Sequence, residues 1–77
     1  MSVQIREGEL VGSLLRGWEA AGVHLHVGSF FRLKLGERFV LGQIELAAGG
    51  IYVFRTWVEK LVVILQPKAI AQITIRD

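Results

Sequence analysis

The stretch that decides the fold is RFVLGQIELAAGGIYVFRTWVEKLVVILQPKAIAQITI, residues 38–75. Its apolar side chains either alternate with polar ones or run continuously over strand-sized lengths, which is typical of β-strands. The breaks carry turn residues, including Gly49-Gly50, Glu59-Lys60 and Pro67, and a proline cannot donate a hydrogen bond to a sheet. We therefore predict strands at residues 38–46, 51–57, 61–65 and 71–75, with one turn of tight helix at 68–70.

Two of these strands predict association between copies of the chain. Residues 51–57 and 61–65 are apolar on both faces, so we expect both faces of each strand to be covered. An open edge of this composition is an aggregation site, and the orderly alternative is strand addition between subunits. Head-to-tail addition closes into a ring when the rotation allows it. Gly42, inside the first strand, predicts a bend or a close approach of backbones.

The chain before residue 38 predicts two further strands and a helix. Residues 23–27 and 30–35 alternate in polarity, and Gly36-Glu37 predicts a tight hairpin. Leu10, Leu14 and Trp18 repeat at i, i+4 and i+8, which predicts an amphipathic helix over residues 9–21 that caps the open end of a barrel. Residues 1–8 are polar, and we expect them to be loosely ordered.

The composition favours one associating domain over residues 1–77. The chain is 52% hydrophobic with a mean hydropathy of +0.46, more than one small core can hide. No apolar run approaches the roughly 20 residues of a membrane-spanning helix. No secretory signal is visible, and there is no cysteine. We expect a cytoplasmic homo-oligomer that neither binds a membrane nor needs a cofactor.

No group of residues in the sequence indicates catalysis. The serines lie in no activating motif, and the carboxylates are isolated from one another, so we predict that the chain is not an enzyme. His24 and His26 share a strand face, which makes either half a metal site without a third ligand or a pair of exposed or interfacial side chains. A net charge of +2 and a pI near 9.5 permit nucleic-acid binding without requiring it. Cations this scattered would have to act as several copies around a ring.

Three short segments carry a resemblance to a known family. Leu41-Gly42-Gln43-Ile44-Glu45, the strand 51–54 and Lys68-Ala69-Ile70-Ala71 resemble, in order and spacing, motifs of the Sm-like (LSm) family, most closely its Hfq branch of bacterial RNA chaperones. Leu14-Leu15-Arg16 lies where that family has a basic rim on its helix. The chain departs from the family at Gly49-Gly50, where the uridine site has a Gln-Phe pair, and at Pro67-Lys68, where the family has Lys-His.

The resemblance implies a fold, an assembly and a ligand. The implied fold is mainly β, a small, strongly bent five-stranded SH3-like barrel with an N-terminal α-helix. The implied assembly is a ring of six or seven copies that binds single-stranded RNA. The residues expected to contact RNA are Lys68, Arg16, Gln43 and Tyr52, with base stacking by Phe30, Phe39 or Tyr52. The alternatives are an oligomeric protein-interaction scaffold that has lost RNA binding, and an unrelated SH3-like barrel that dimerises.

Overall fold

The computed structural model describes residues 2–76, which form nine β-strands and no helix. Their bounds, in chain order, are β1 Val3–Glu9, β2 Val11–Ser13, β3 Gly17–Ala20, β4 Val23–Leu25, β5 Phe30–Leu35, β6 Arg38–Ala47, β7 Ile51–Thr56, β8 Val62–Val63 and β9 Ile70–Arg76. The expectation of a mainly β chain is therefore confirmed.

The strands form two antiparallel sheets that share one core. The large sheet has the order β1-β9-β5-β6-β7-β8, and the small sheet has the order β2-β3-β4. Trp18 and Leu25 of the small sheet pack in one buried cluster with the inner face of the large sheet, represented by Phe31, Ile44 and Phe54. The opposite face of the large sheet carries exposed side chains, among them Phe30 and Val62.

The expected five-stranded barrel with an N-terminal helix is wrong. Among residues 2–76 there are nine strands rather than five, and the two sheets do not close into a barrel. The large sheet ends in two open edges, β1 and β8. The expected bend at Gly42 takes the form of a close approach, because an added Cβ would lie 2.5 Å from Cζ of Phe54.

The predicted helix over residues 9–21 is a β-hairpin. β2 and β3 pair with Gly12 opposite Trp18, and the turn between them contains Leu14, Leu15 and Arg16. Gly12 and Gly17 have φ angles of 137° and 95°, which only glycine adopts readily, and a helix cannot contain either. Leu10 and Trp18 are both buried on the same side of the hairpin. The i, i+8 spacing of these two residues, which suggested one face of a helix, is therefore the result of hairpin pairing.

Two shorter predictions also fail. The part of residues 1–8 that is described is not loosely ordered, because Val3–Glu9 pairs along its whole length with β9; Met1 lies outside the described residues. The tight helical turn predicted at 68–70 is a β-turn, closed by the Ala69 N–H, which donates to the Gln66 carbonyl at 3.3 Å. Lys68 lies within it at a φ of 73°.

The strands around the Gly36-Glu37 turn confirm the sequence pattern. β5 has the predicted bounds, and β6 exceeds its prediction by one residue. The region after β7 differs from its prediction. Trp57 is exposed, and only Val62–Val63 of the predicted strand 61–65 forms β8, with Leu61 and Ile64 open to solvent. No helix able to cross a bilayer occurs in the described part of the chain.

Candidate nucleic-acid interface

The outer face of the large sheet presents side chains from neighbouring strands. Along β5, Phe31 and Leu33 point into the core, so Phe30 and Arg32 point outward. Cross-strand pairing sets Gln43 of β6 opposite Phe30, and Gln72 of β9 opposite Arg32. Residues that are opposite each other share a face, so these four side chains lie together.

Two aromatic rings stand next to each other on this face. The ring centroids of Phe30 and Trp57 are 5.3 Å apart in an edge-to-face arrangement with an interplanar angle of 75°. Phe30 is 50% exposed and Trp57 is 49% exposed. About half of each aromatic ring therefore contacts water instead of apolar side chains, and this exposed area is available for stacking with a ligand. We name the aromatic–cationic patch after the pair and its neighbours: Phe30, Arg32, Trp57, Lys60 and Arg76.

The turn that carries Trp57 and Lys60 is fastened at both ends. The Thr56 N–H donates to the Leu61 carbonyl, and the Leu61 N–H donates to Oγ1 of Thr56, each at 2.9 Å. Thr56 is buried, so this reciprocal pair is shielded from water. Lys60 adopts a φ of 61°, and its carbonyl accepts a hydrogen bond from Nη1 of Arg55 at 3.0 Å. The turn therefore holds Trp57 in a defined position before any ligand binds.

Cations surround the ring pair. Nζ of Lys60 lies 4.1 Å from the centroid of the Trp57 ring, a cation–π contact. On the other side, Arg32 and Arg76 line a shallow depression of about 300 Å³ together with Phe30, Gln72 and Thr74. In the part of the chain that the structure describes, the one ion pair is between Arg55 and Glu45, so the three patch cations have no ion-pair partner there.

Glu45, the carboxylate beside the patch, is neutralised locally. Oε1 of Glu45 accepts from Nε of Arg55 at 2.8 Å, and Oε2 accepts from Nε2 of Gln43 at 3.1 Å. The bond from Arg55 is the main reason that the pKa of Glu45 lies below its usual value, with the Gln43 bond as the second cause. An anionic ligand on this face therefore meets little repulsion from Glu45.

The structure brings only one of the four predicted RNA-contacting residues to this face. Gln43 lies beside Phe30. Its amide nitrogen donates to Glu45, which leaves its amide oxygen able to accept a hydrogen bond from a ligand. Tyr52 is half-buried against the core, and its main chain bonds to Leu14 and Trp18. Arg16 lies in the β2–β3 turn, and Lys68 lies in the turn before β9. The roles predicted for these residues remain untested.

Sequence reasoning missed most of the patch. The alternation over residues 30–35 predicts that Arg32 points away from Phe31 and Leu33 but gives it no role, and Arg76 lies beyond the last predicted strand. The pattern over residues 51–57 predicts a buried Trp57, but β7 ends at Thr56 and Trp57 lies in the following turn. The available signal is the polar Glu59-Lys60 pair, which follows Trp57 after Val58 and marks a turn in which an aromatic side chain can point outward.

A second open surface has a different composition. An apolar groove of about 670 Å³ lies between the β2–β3 turn and the segment before β9. Its walls are mainly aliphatic, with Leu14, Leu15, Ile51, Ile64 and Pro67. His24 on β4 and His26 just after it line neither surface; their ring centroids are 4.5 Å apart, and no cluster able to hold a metal ion occurs among residues 2–76.

The comparisons with known proteins do not decide between these surfaces. No family model, curated protein or solved structure matches the chain. The resemblance to the Sm-like family therefore stays a prediction from short motifs, and so does the ring of six or seven copies.

Proposed function

We propose that this chain binds single-stranded RNA on the aromatic–cationic patch. The observation that carries the proposal is the exposed Phe30–Trp57 pair, set on the open face of a sheet and flanked by three cations. Single-stranded RNA is bound in this way by many unrelated proteins, because unstacked bases lie on aromatic rings while cations follow the phosphates. The short motifs shared with the Sm-like family point to the same ligand.

Each patch residue has a separate role in the proposed complex. Phe30 and Trp57 each stack with one base of the same strand, and because the two rings are nearly perpendicular the two bases are unstacked from each other. Arg32, Arg76 and Lys60 contact phosphates on the two sides of the pair. Gln43 offers a free amide oxygen to the edge of a base held on Phe30. A single strand rather than a duplex fits, because stacking on exposed rings requires unpaired bases.

The test is titration of U-rich and A-rich oligonucleotides with the wild-type chain and single variants. Trp57→Ala and Phe30→Ala each remove a stacking ring worth about 1–3 kcal/mol per base. We therefore expect Kd to rise roughly 5- to 150-fold for each variant. Leu46→Ala is the matched control, because Leu46 is equally exposed and lies outside the patch. Absence of binding at micromolar protein and low salt would overturn the proposal.

Salt dependence tests the cations separately from the rings. Three phosphate contacts predict that log Kobs falls with log salt at a slope of about −2 on single strands. Arg32→Gln should weaken binding to all sequences alike and make this slope shallower by about 0.7. The variants Lys68→Ala and Arg16→Ala test the sites predicted from the sequence. If these two lose binding while the patch variants keep it, RNA binds elsewhere on the chain.

A protein-interaction role is the second candidate, and the apolar groove is the observation that favours it. The groove is large and almost free of charged side chains, which suits an apolar segment of another protein better than RNA. Affinity capture that yields one stoichiometric protein, lost on Leu15→Ser and without bound RNA, would support this role over the first.

A further inference from the structure

β8, two residues long, is an outer strand of the large sheet, and the segment around it carries neither of the residue types, charged or proline, that oppose pairing with another chain. Residues 61–65 are Leu-Val-Val-Ile-Leu, without a charge or a proline. Val62 is 50% exposed and Ile64 is 52% exposed. Proteins normally place charged residues on an open edge, since its free N–H and C=O groups are a template for another strand. An uncharged, apolar edge indicates a strand that is covered in the assembled protein.

β1, the opposite outer strand, has the protection that β8 lacks. It carries Arg6 on one face and Glu7 and Glu9 on the other. These charges oppose the addition of an apolar strand, because pairing would bring them against side chains that cannot solvate them. A head-to-tail contact of β1 with β8 of another copy is therefore disfavoured, and a contact of β8 with itself avoids the problem.

The hydrogen-bonding phase of β8 also suits pairing with itself. The Leu61 carbonyl accepts from the Thr56 N–H, and Val63 lies opposite Phe54, so Leu61 and Val63 direct their main-chain groups toward β7. Main-chain groups alternate in direction along a strand, so those of Val62 point away from β7. Those of Ile64 do the same when the strand continues in extended form. Two residues spaced in this way leave outward N–H and C=O groups on both sides of Val63.

We infer that β8 pairs antiparallel with β8 of a second copy about a twofold axis at Val63. In this register Val62 of each copy faces Ile64 of the other, and the outward groups of both residues exchange hydrogen bonds. Val63 of one copy faces Val63 of the other, and Leu61 of each copy faces Leu65 of the other, so every cross-strand pair is apolar. The two large sheets then form one continuous sheet.

The inferred dimer also places two aromatic–cationic patches on one face. Val62 lies opposite Arg55 and so projects to the same side of the sheet as that residue and Phe30. The twofold axis preserves this side, because antiparallel pairing keeps facing side chains together. The dimer itself rests on the edge strand alone and stands or falls independently of RNA binding.

Cysteine cross-linking tests the register. The chain has no native cysteine, so a single Val63→Cys gives an unambiguous product. At a non-hydrogen-bonded antiparallel pair the two Cα atoms are about 4.5 Å apart, within the range of a disulfide. Leu61→Cys is the matched control: it is more exposed, yet its copies lie about 13 Å apart along the strands in this register. We expect mild oxidation to cross-link Val63→Cys into a covalent dimer and to leave Leu61→Cys without a covalent product on a denaturing gel.

Sedimentation equilibrium of the full chain tests the interface. We expect the wild type to be a dimer, Val62→Lys to be a monomer and Ile5→Lys, on exposed β1, to remain a dimer, with all three folded by circular dichroism. A monomeric wild type, a dimeric Val62→Lys, or equally fast cross-linking of Leu61→Cys overturns the inference. A larger particle that both lysine variants dissociate would mean head-to-tail pairing of β1 with β8, and would overturn it as well.

Discussion

The hairpins β2–β3 and β5–β6 are both closed by turns of two or three residues, yet the sequence predicts β5–β6 correctly and β2–β3 wrongly. β5–β6 appears with the expected strands and a two-residue turn at Gly36-Glu37. β2–β3 was predicted as part of a helix. The difference lies in what specifies each hairpin. Side chains specify β5–β6, because buried residues such as Leu33 and Ile44 alternate with outward polar residues such as Arg32 and Gln43. Backbone conformation specifies β2–β3, because its strands are short and two of their positions are glycine.

Packing explains why the glycines of β2–β3 outweigh its side-chain pattern. At Gly12 the carbonyl oxygen of Gly17 occupies the place of a side chain, and Cα of Trp18 would lie 3.1 Å from an added Cβ. This contact lets the hairpin lie close enough to bury Trp18 in the shared core. A helix through residues 9–21 would instead cost about 1 kcal/mol at each glycine. The hairpin therefore exploits both glycines, whereas a helix is weakened by them.

Gly12→Ala is expected to have the largest effect on the comparison. The substitution puts a Cβ against the backbone of β3 at a φ of 137° that alanine rarely adopts. Conformational strain and overpacking together cost about 2–5 kcal/mol, a large part of the stability of a small domain. Urea unfolding followed by tryptophan fluorescence measures the loss. A variant as stable as the wild type would mean that β2–β3 does not depend on this glycine.

Gly36→Ala is the corresponding change in β5–β6, and its effect should be smaller. Gly36 has a φ of 67°, but no atom lies within 4 Å of an added Cβ. The cost is then that of left-handed backbone alone, about 1 kcal/mol. Gly36→Asn should lose less still, because asparagine tolerates this conformation. The same urea experiment applies, and a loss for Gly36→Ala equal to that for Gly12→Ala would remove the distinction between the two hairpins.

The same distinction sets how much of the fold the sequence could predict. β5, β6 and β9 were predictable because their core-facing residues, such as Phe31, Ile44 and Ile73, alternate with polar ones. β1 was not, because it lies at an edge where both faces are largely exposed, and its order comes mainly from its pairing with β9, which is distant in the sequence. The division into two sheets depends on contacts between distant segments, which no local pattern contains.

The candidate site was predictable only where it lies on a regular strand. The outward direction of Phe30, Arg32 and Gln43 follows from the alternation of β5 and β6, whereas the prediction that Phe30 and Gln43 contact RNA comes from the family resemblance alone. Trp57 and Lys60 meet because the turn between β7 and β8 is closed by Thr56 and Arg55. That closure combines a buried hydroxyl with a left-handed lysine, and neither has a signature in the sequence.

The smallest expected effect concerns the polar side chains of β6, where Glu45 bonds to both Arg55 and Gln43. The side-chain hydrogen bonds described for β2–β3 each involve a main-chain group: the Ser13 hydroxyl accepts from the Arg16 N–H, and Nε1 of Trp18 donates to the Tyr52 carbonyl. Because the pKa of Glu45 is lowered in the folded chain, its ionised form stabilises the fold above the unfolded pKa of about 4.3. This contribution is lost as pH falls through the lower folded pKa. Both partners are about one-third exposed, at 37% for Arg55 and 31% for Glu45, so the contribution is small.

Glu45→Gln should therefore lower the urea midpoint slightly at pH 7, and the gap to the wild type should close as the pH is lowered below about 4. The midpoint measured at intervals between pH 7 and pH 3 follows this convergence. Glu37→Gln is the matched control, since Glu37 lies in the exposed β5–β6 turn and has no ion pair within residues 2–76. A gap that stays constant down to pH 3 would show that Glu45 acts on β6 through packing, and the two hairpins would then differ in backbone conformation alone.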